Sequence, residues 1–213
     1  MLDNRPVPEE WQTASEIEWG DFYRAVEGRP LRPLFVDAIP FLPTTTVGEP
    51  PLVAVDLGCG DGTETLELLK RGWTVFAVDG SPEGIARIRE SVPLVDLERL
   101  TTRVASFAEV RLPPADLVYA GLSLPFCHPR DFAAVWRTVA SALRPDGLFV
   151  GHVFGPHDSW ADKPDMTFHT REDVETMFAE FEIEQLHEQD EDGEAVGGPK
   201  HWHVFHVIAR KRA

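Results

Sequence analysis

Residues 53–69, VAVDLGCGDGTETLELL, run from an apolar stretch through Gly58, Gly60 and Gly62 into a segment with helical leucine spacing. A strand, a glycine loop and a helix in that order form the opening unit of an open α/β sheet. The loop then lies at the carboxyl end of its strand, where such sheets bind ligands. Glycines there let the backbone approach a ligand closely, because no Cβ intervenes.

The downstream sequence continues the alternation. Runs at 52–57, 73–78, 104–107, 115–121 and 148–154 read as strands, and RPDG at 144–147 reads as a turn. Helices are expected over 63–70, after Ser81 as N-cap with Pro82 in the first position, over 129–143, and after Thr170, which forms a capping box with Asp173. Segments 181–186 and 203–209 read as two further strands joined by the acidic linker EDGEAVGGP, an antiparallel hairpin. The expected fold is α/β: a doubly wound, mostly parallel seven-stranded sheet ending in an antiparallel C-terminal hairpin. Upstream, Trp19, Phe22 and Tyr23 share one face of a helix over 16–25, and a second short helix covers 31–39. These form an N-terminal helical cap (1–45) on the core (50–155), with the C-terminal helix and hairpin at 156–213, all within a single domain of 213 residues. The proline-rich stretch 40–51 reads as a connector.

The ligand is constrained by what surrounds the loop. Asp79 closes the second strand about 20 residues after the glycines, the spacing at which an acid grips a ribose diol. No Lys-Ser/Thr pair follows the glycines, as a phosphate loop requires, and the third glycine comes one position early for G-x-G-x-x-G. Asp56 and Asp61 flank the loop, unfavourably for a pyrophosphate but suitably for positive charge.

VAVDLGCGDGTETLELLKRGWTVFAVDGSPEGI resembles the first two motifs of class I S-adenosylmethionine-dependent methyltransferases, and the resemblance covers roughly residues 50–155. FGPHDSW and GPKHWHVFHVIARK resemble, more loosely, a bacterial small-molecule branch. The resemblance implies a Rossmann-like fold and S-adenosyl-L-methionine as cofactor, with S-adenosyl-L-homocysteine as product. It implies that Asp56, Gly58 and Gly60 line the methionine moiety, with Cys59 the small residue between the glycines. Asp79 then holds both ribose hydroxyls, with Gly80 and Ser81 beside the adenosine. ASFAEV places Ser106 and Phe107 at the adenine, and ADLVYAGLSLPF places Tyr119, Ala120 and Leu122 under the methionine and sulfonium. At this last motif the chain carries Gly121-Leu122-Ser123-Leu124 rather than an Asn-Pro-Pro-Tyr type sequence. That departure argues against base or protein-amide methylation.

Substrate contacts are expected from loops after the fourth and fifth strands and from the cap. His128, His157 and Asp158 are the catalytic candidates, since a histidine can deprotonate a hydroxyl or carboxylic acid; the alternative is surface polarity. Tyr23, Arg32, Ser123 and Trp160 are substrate candidates, with plain packing as the alternative for the aromatics. His201 and His203 have strand spacing on one face, but no third ligand is evident, so no metal is expected. The acidic run 190–192 reads as a solvated hairpin tip.

The formal net charge of −16, with ARKRA as the sole basic cluster, excludes nucleic acid and anionic membranes as natural partners and favours a small molecule, cationic rather than anionic. No secretory signal or membrane span is read, and two cysteines form no disulfide framework, so a cytoplasmic monomer or homodimer is expected. The expected function is methyl transfer from S-adenosylmethionine to oxygen, nitrogen or a chalcogen of a small-molecule acceptor. A non-catalytic cofactor-binding module and an NAD(P)-dependent oxidoreductase are the alternatives.

Overall fold

The computed structural model describes residue 13 and residues 17–44 and 50–213. The parallel strands are β1 (Val53–Leu57), β2 (Thr74–Asp79), β3 (Leu100–Val104), β4 (Ala115–Ala120) and β5 (Leu143–Phe154), and the hairpin is β6 (Phe181–Ala195) with β7 (Gly198–Lys211). The helices are α1 (Trp19–Ala25), α2 (Pro33–Ala38), α3 (Thr63–Lys70), α4 (Pro82–Ser91), α5 (Pro129–Ala142) and α6 (Arg171–Met177). The sheet order is β3-β2-β1-β4-β5-β7-β6. β7 runs antiparallel to β5 and to β6.

Strand alternation divides the interior into two layers. Val55, Leu57, Val118 and Ala120 face α5 and α6, where Phe132, Val135, Val139 and Val174 cover them. Ala54, Ala77, Leu117 and Tyr119 face the other way, onto α2, α3 and α4 through Phe35, Leu68, Leu69, Ile85 and Ile88. Phe149, fully buried, ties β5 to Trp136 and Phe178 at ring separations of 5.2 Å each. Truncating it to alanine is expected to cost about 3–5 kcal/mol.

Local signals hold where the chemistry is local. Ser81 Oγ accepts from Gly84 N, and Thr170 and Asp173 form a reciprocal capping box. Three expectations are corrected. The third strand is 100–104, not 104–107: it is an edge strand that buries only Thr102, so its polar LTTRV sequence hides it. RPDG does not precede β5 but is a bulge within it, with Asp146 left-handed at φ 63° between the pairings Ala115↔Leu143 and Leu117↔Leu148. The hairpin strands run far beyond their apolar centres, and Ala195 pairs with Gly198 across a two-residue turn. Asp190, Glu191 and Asp192 therefore lie in mid-strand opposite His203, Trp202 and His201, not at a tip. Of the segments assigned to the cap and the connector, residues 1–12, 14–16 and 45–49 lie outside the described residues.

Candidate active site

A cavity of about 870 Å³ opens at the carboxyl ends of β1, β2 and β4 and continues under α1 toward the hairpin tip. Its first half is built by the glycine loop. Gly58 N and Cys59 N donate to Val78 O at 2.8 and 3.0 Å, which pins the loop against β2. Gly58 is left-handed at φ 79°, and a Cβ there would strike the Ser123 side chain. Asp79, at the end of β2, accepts from Gly60 N (2.8 Å), Ser81 N (2.8 Å) and the Tyr23 hydroxyl (3.0 Å). Burial raises its carboxyl above the usual range, opposed by the Ser81 and Gly60 amides and the Tyr23 hydroxyl. Burial and the neighbouring Asp79 push the Tyr23 phenol far up, so it stays protonated and donates.

The cap is clamped to this loop by charge. Arg29 forks onto both Glu64 oxygens at 2.7 and 2.6 Å and reaches Asp61 at 3.0 Å. Burial alone would raise the Glu64 carboxyl, but the Arg29 guanidinium and the Arg32 amide outweigh it and lower its pKa. Two polar atoms of cavity-lining residues, Arg29 Nε and Tyr119 Oη, are buried without a hydrogen-bond partner. Unpaired buried polar atoms are costly, and these two are a local cost of building the wall.

The second half is aromatic. Trp19 and Phe22 of α1, Phe126, Phe154 of β5, Trp160 and Trp202 of β7 line it, with the tip residues Glu194, Ala195 and Val196 at its edge. Leu122 forms the floor between the halves in a left-handed conformation, φ 56°, unusual for a residue with a branched side chain. Its N–H donates to His152 Nδ1 at 3.1 Å. Burial lowers the His152 pKa well below its ordinary value, which keeps the ring neutral and Nδ1 able to accept.

Residues 54–147 match the family model described as "Methyltransferase domain". A carboxy-S-adenosyl-L-methionine synthase from Erwinia tasmaniensis is 30% identical over 61% of this chain and 55% of its own length. The chain spans about half the length of the curated relatives it matches. Among solved structures, TehB from Haemophilus influenzae superposes with a TM-score of 0.68 at 17% identity, covering 92% of this chain and 68% of that one. The 1,6-didemethyltoxoflavin-N1-methyltransferase of Burkholderia thailandensis superposes with a TM-score of 0.62 at 22% identity, over 98% of this chain and 94% of that one. Residues 54–147 are thus similar to methyltransferase domains, and the chain shares the fold of S-adenosylmethionine-dependent methyltransferases.

The described residues fit S-adenosylmethionine. A Cβ on Gly80 would meet nothing within 4 Å, and the glycine loop and Asp79 border the cavity. Gly58, Cys59, Gly60, Asp79, Gly80, Ser81, Ser106, Phe107, Tyr119 and Leu122 all line the cavity, as do Tyr23, Arg32, Ser123 and Trp160. Asp56 and Ala120 do not. Asp56 is buried beneath the loop and accepts from Thr65 Oγ1 at 2.6 Å. Ala120 faces the opposite layer from Tyr119, as neighbours on a strand must.

The three catalytic candidates also lie outside the lining. His128 N-caps α5, its Nδ1 accepting from Arg130 N at 3.2 Å. Exposed His157 pairs with Asp190 at 2.9 Å. Asp158 is buried against Lys200 and accepts from Trp160 N at 3.0 Å. His157, Asp190 and His203 bring one potential metal-ligating atom each within 4.8 Å of one another, a third partner that the His-x-His spacing did not disclose. Their ring nitrogens are engaged: His203 Nδ1 accepts from His157 N at 3.1 Å, and Nε2 meets Glu188 at 3.1 Å.

Sequence reasoning missed Arg29 and Glu64, which lie 35 residues apart with no local signal. It also missed Phe126, Phe154 and Trp202 as one chamber. No helix among the described residues is long and apolar enough to cross a membrane.

Proposed function

We propose that this protein transfers a methyl group from S-adenosylmethionine to a small-molecule acceptor at oxygen, nitrogen or a chalcogen. The observation that carries this reading is the continuity of one cavity from the glycine loop and Asp79 to an apolar chamber, across the Leu122 floor. The Burkholderia neighbour, which binds 1,6-didemethyltoxoflavin beside S-adenosylhomocysteine, supports a small-molecule acceptor.

The cofactor supplies an activated methyl group on a sulfonium. Asp79 holds the ribose hydroxyls. Gly80, Ser81, Ser106 and Phe107 flank the adenosine, and the backbone of Gly58, Cys59 and Gly60 borders the methionine. Arg32, on the cavity wall, would hold its carboxylate. Tyr119, Leu122 and Ser123 line the stretch between the two halves, where an acceptor would be held against the methyl group. Orientation of two bound partners supplies much of the rate of such a displacement. α1 and the hairpin tip border the chamber. His128, His157 and Asp158 take no part as bases in this reading, because none lines the cavity.

Calorimetric titration with S-adenosylmethionine, S-adenosylhomocysteine and NAD tests it. Micromolar binding of the first two, with none of NAD, is expected. Binding of NAD alone overturns the reading in favour of an oxidoreductase. Cofactor binding without turnover of any acceptor tried supports a regulatory module instead.

A further inference from the structure

We propose that His157, Asp190 and His203 bind a first-row divalent metal ion of the zinc class, at a site outside the cavity that ties the loop after β5 to the outer half of the hairpin. None of the three lines the cavity. They come from three segments: His157 from the loop after β5, Asp190 from β6 and His203 from β7, the last two being direct cross-strand partners. One donor atom of each lies within 4.8 Å of the other two. Bonds of about 2.0–2.1 Å to a tetrahedral zinc set its donors about 3.3 Å apart, so a modest side-chain turn closes the set. His157 Nδ1 already stands 2.9 Å from Asp190 Oδ2, and the His157 side chain, 66% exposed, has room to make that turn. His203, by contrast, is buried and fixed. Its ring lies so close to Gly155 that a Cβ there would be 2.4 Å from it.

The hydrogen bonds around these donors suit a metal. His203 Nε2 meets Glu188 Oε1 at 3.1 Å, and with a carboxylate facing it that nitrogen carries the ring proton. Nδ1 then holds the lone pair, which accepts from the His157 N–H at 3.1 Å. A metal on Nδ1 takes that lone pair, and the amide of exposed His157 is left to water. The Glu188 bond stays, as the outer carboxylate that metal-bound histidines usually keep on their other nitrogen. Charge points the same way. Glu188, Asp190 and Asp192 lie on one face of β6, at every second residue. Arg171 meets Glu188, but among the described residues the ion-pair partners of Asp190 and Asp192 are histidines alone. A divalent ion supplies fixed positive charge to that face. Two imidazoles and one carboxylate suit zinc and its first-row neighbours, whereas magnesium and calcium take oxygen donors.

The test uses the full chain, stripped of metal with a chelator and titrated calorimetrically with Zn2+, then separately with Mg2+ and Ca2+. A single Zn2+ per chain is expected to bind, with neither Mg2+ nor Ca2+ detected, and to slow backbone hydrogen exchange over 155–160 and 188–204. Glu188→Gln is expected to weaken Zn2+ binding about ten-fold. His157→Ala and Asp190→Ala, both at exposed positions where the fold does not depend on the side chain, are expected to weaken it by more, with the circular dichroism spectrum unchanged. His201→Gln removes a residue that touches Asp190 but supplies no ligand, and is expected to bind Zn2+ no more weakly than wild type. Absence of Zn2+ binding overturns the proposal. So does binding of Mg2+ or Ca2+ as tightly as Zn2+, which would show a plain acidic patch. Binding of several Zn2+ ions indifferent to His157→Ala and Asp190→Ala overturns it too, as does loss of binding in His201→Gln with His157→Ala silent.

Discussion

The Tyr23 hydroxyl donates to Asp79 Oδ1 at 3.0 Å, joining α1 to the end of β2 across 56 residues of chain. With Gly60 N on Oδ2 and Ser81 N also on Oδ1, the carboxylate carries three hydrogen bonds. A carboxylate has about four lone-pair positions, and a ribose diol needs two of them. The Tyr23 bond must therefore give way when a diol docks. Tyr23→Phe is expected to tighten S-adenosylhomocysteine binding several-fold, up to about ten-fold, and to destabilise the ligand-free protein by about 1–3 kcal/mol. Calorimetry and thermal unfolding check the two halves. Weaker binding in the variant would show that the hydroxyl contacts the ligand rather than competing with it.

Asp79→Ala removes the acceptor proposed for both ribose hydroxyls and is expected to cost on the order of 2–3 kcal/mol of cofactor affinity. Unchanged affinity would sink the ribose assignment. Asp79→Asn separates charge from shape: it keeps one acceptor oxygen and is expected to fall between wild type and alanine.

Asp79 was legible because its signal is a short-range one, an acid at the end of a strand at a fixed distance from a glycine loop. Ser81 and Thr170 were legible for the same reason, since a cap acts within three residues. Residues that act at long range were not. Arg29 meets Glu64, and Lys200 meets Asp158 across 42 residues, only because the fold brings them together. Asp158 therefore looked like a loop acid near the site, whereas its charge is spent on a buried partner. The hairpin was underestimated because β6 carries acids where a strand is expected to carry apolar residues. Its outer half is held by His–Asp pairs and backbone pairing rather than by burial. That same extension carries Glu194, Ala195 and Val196 to the cavity, so the error about the hairpin concealed part of the site.

Asp56 is the buried acid beneath the glycine loop, and burial pushes its pKa up to about 7, with the Thr65 hydroxyl bond opposing. Raising an acid in the folded state means the folded chain holds the proton longer than the unfolded one. Stability then falls as pH rises from about 4 to about 7 and is level above that. Asp56→Asn removes the dependence. Relative to wild type, the variant is expected to gain up to about 3 kcal/mol between pH 4.5 and pH 8. Chemical denaturation at the two pH values checks it; a difference that does not change with pH would place the Asp56 pKa in the ordinary range.

His201 on β7 bonds Asp190 at 2.8 Å and Asp192 at 2.7 Å, both on β6, and these bonds raise its pKa. Asp190 also accepts from His157 and is lowered to about 2, while His203 and Glu188 complete the charged groups around it. For a histidine raised by its partners, the stabilisation is complete below its ordinary value of 6.5 and is lost as pH rises through the raised value. The Asp190 contribution is lost only near pH 2, so the histidine sets the behaviour at neutral pH. The outer hairpin is therefore expected to open more readily as pH rises from 6 to 8.5. Backbone hydrogen exchange over 188–204, corrected for the intrinsic pH dependence, should show protection falling across that window. The β1–β2–β4 region should be unaffected. His201→Gln is expected to give low protection at every pH. Protection that does not change across the window, or that falls equally in the β1–β2–β4 region, would show that the His201 pairs do not hold the hairpin.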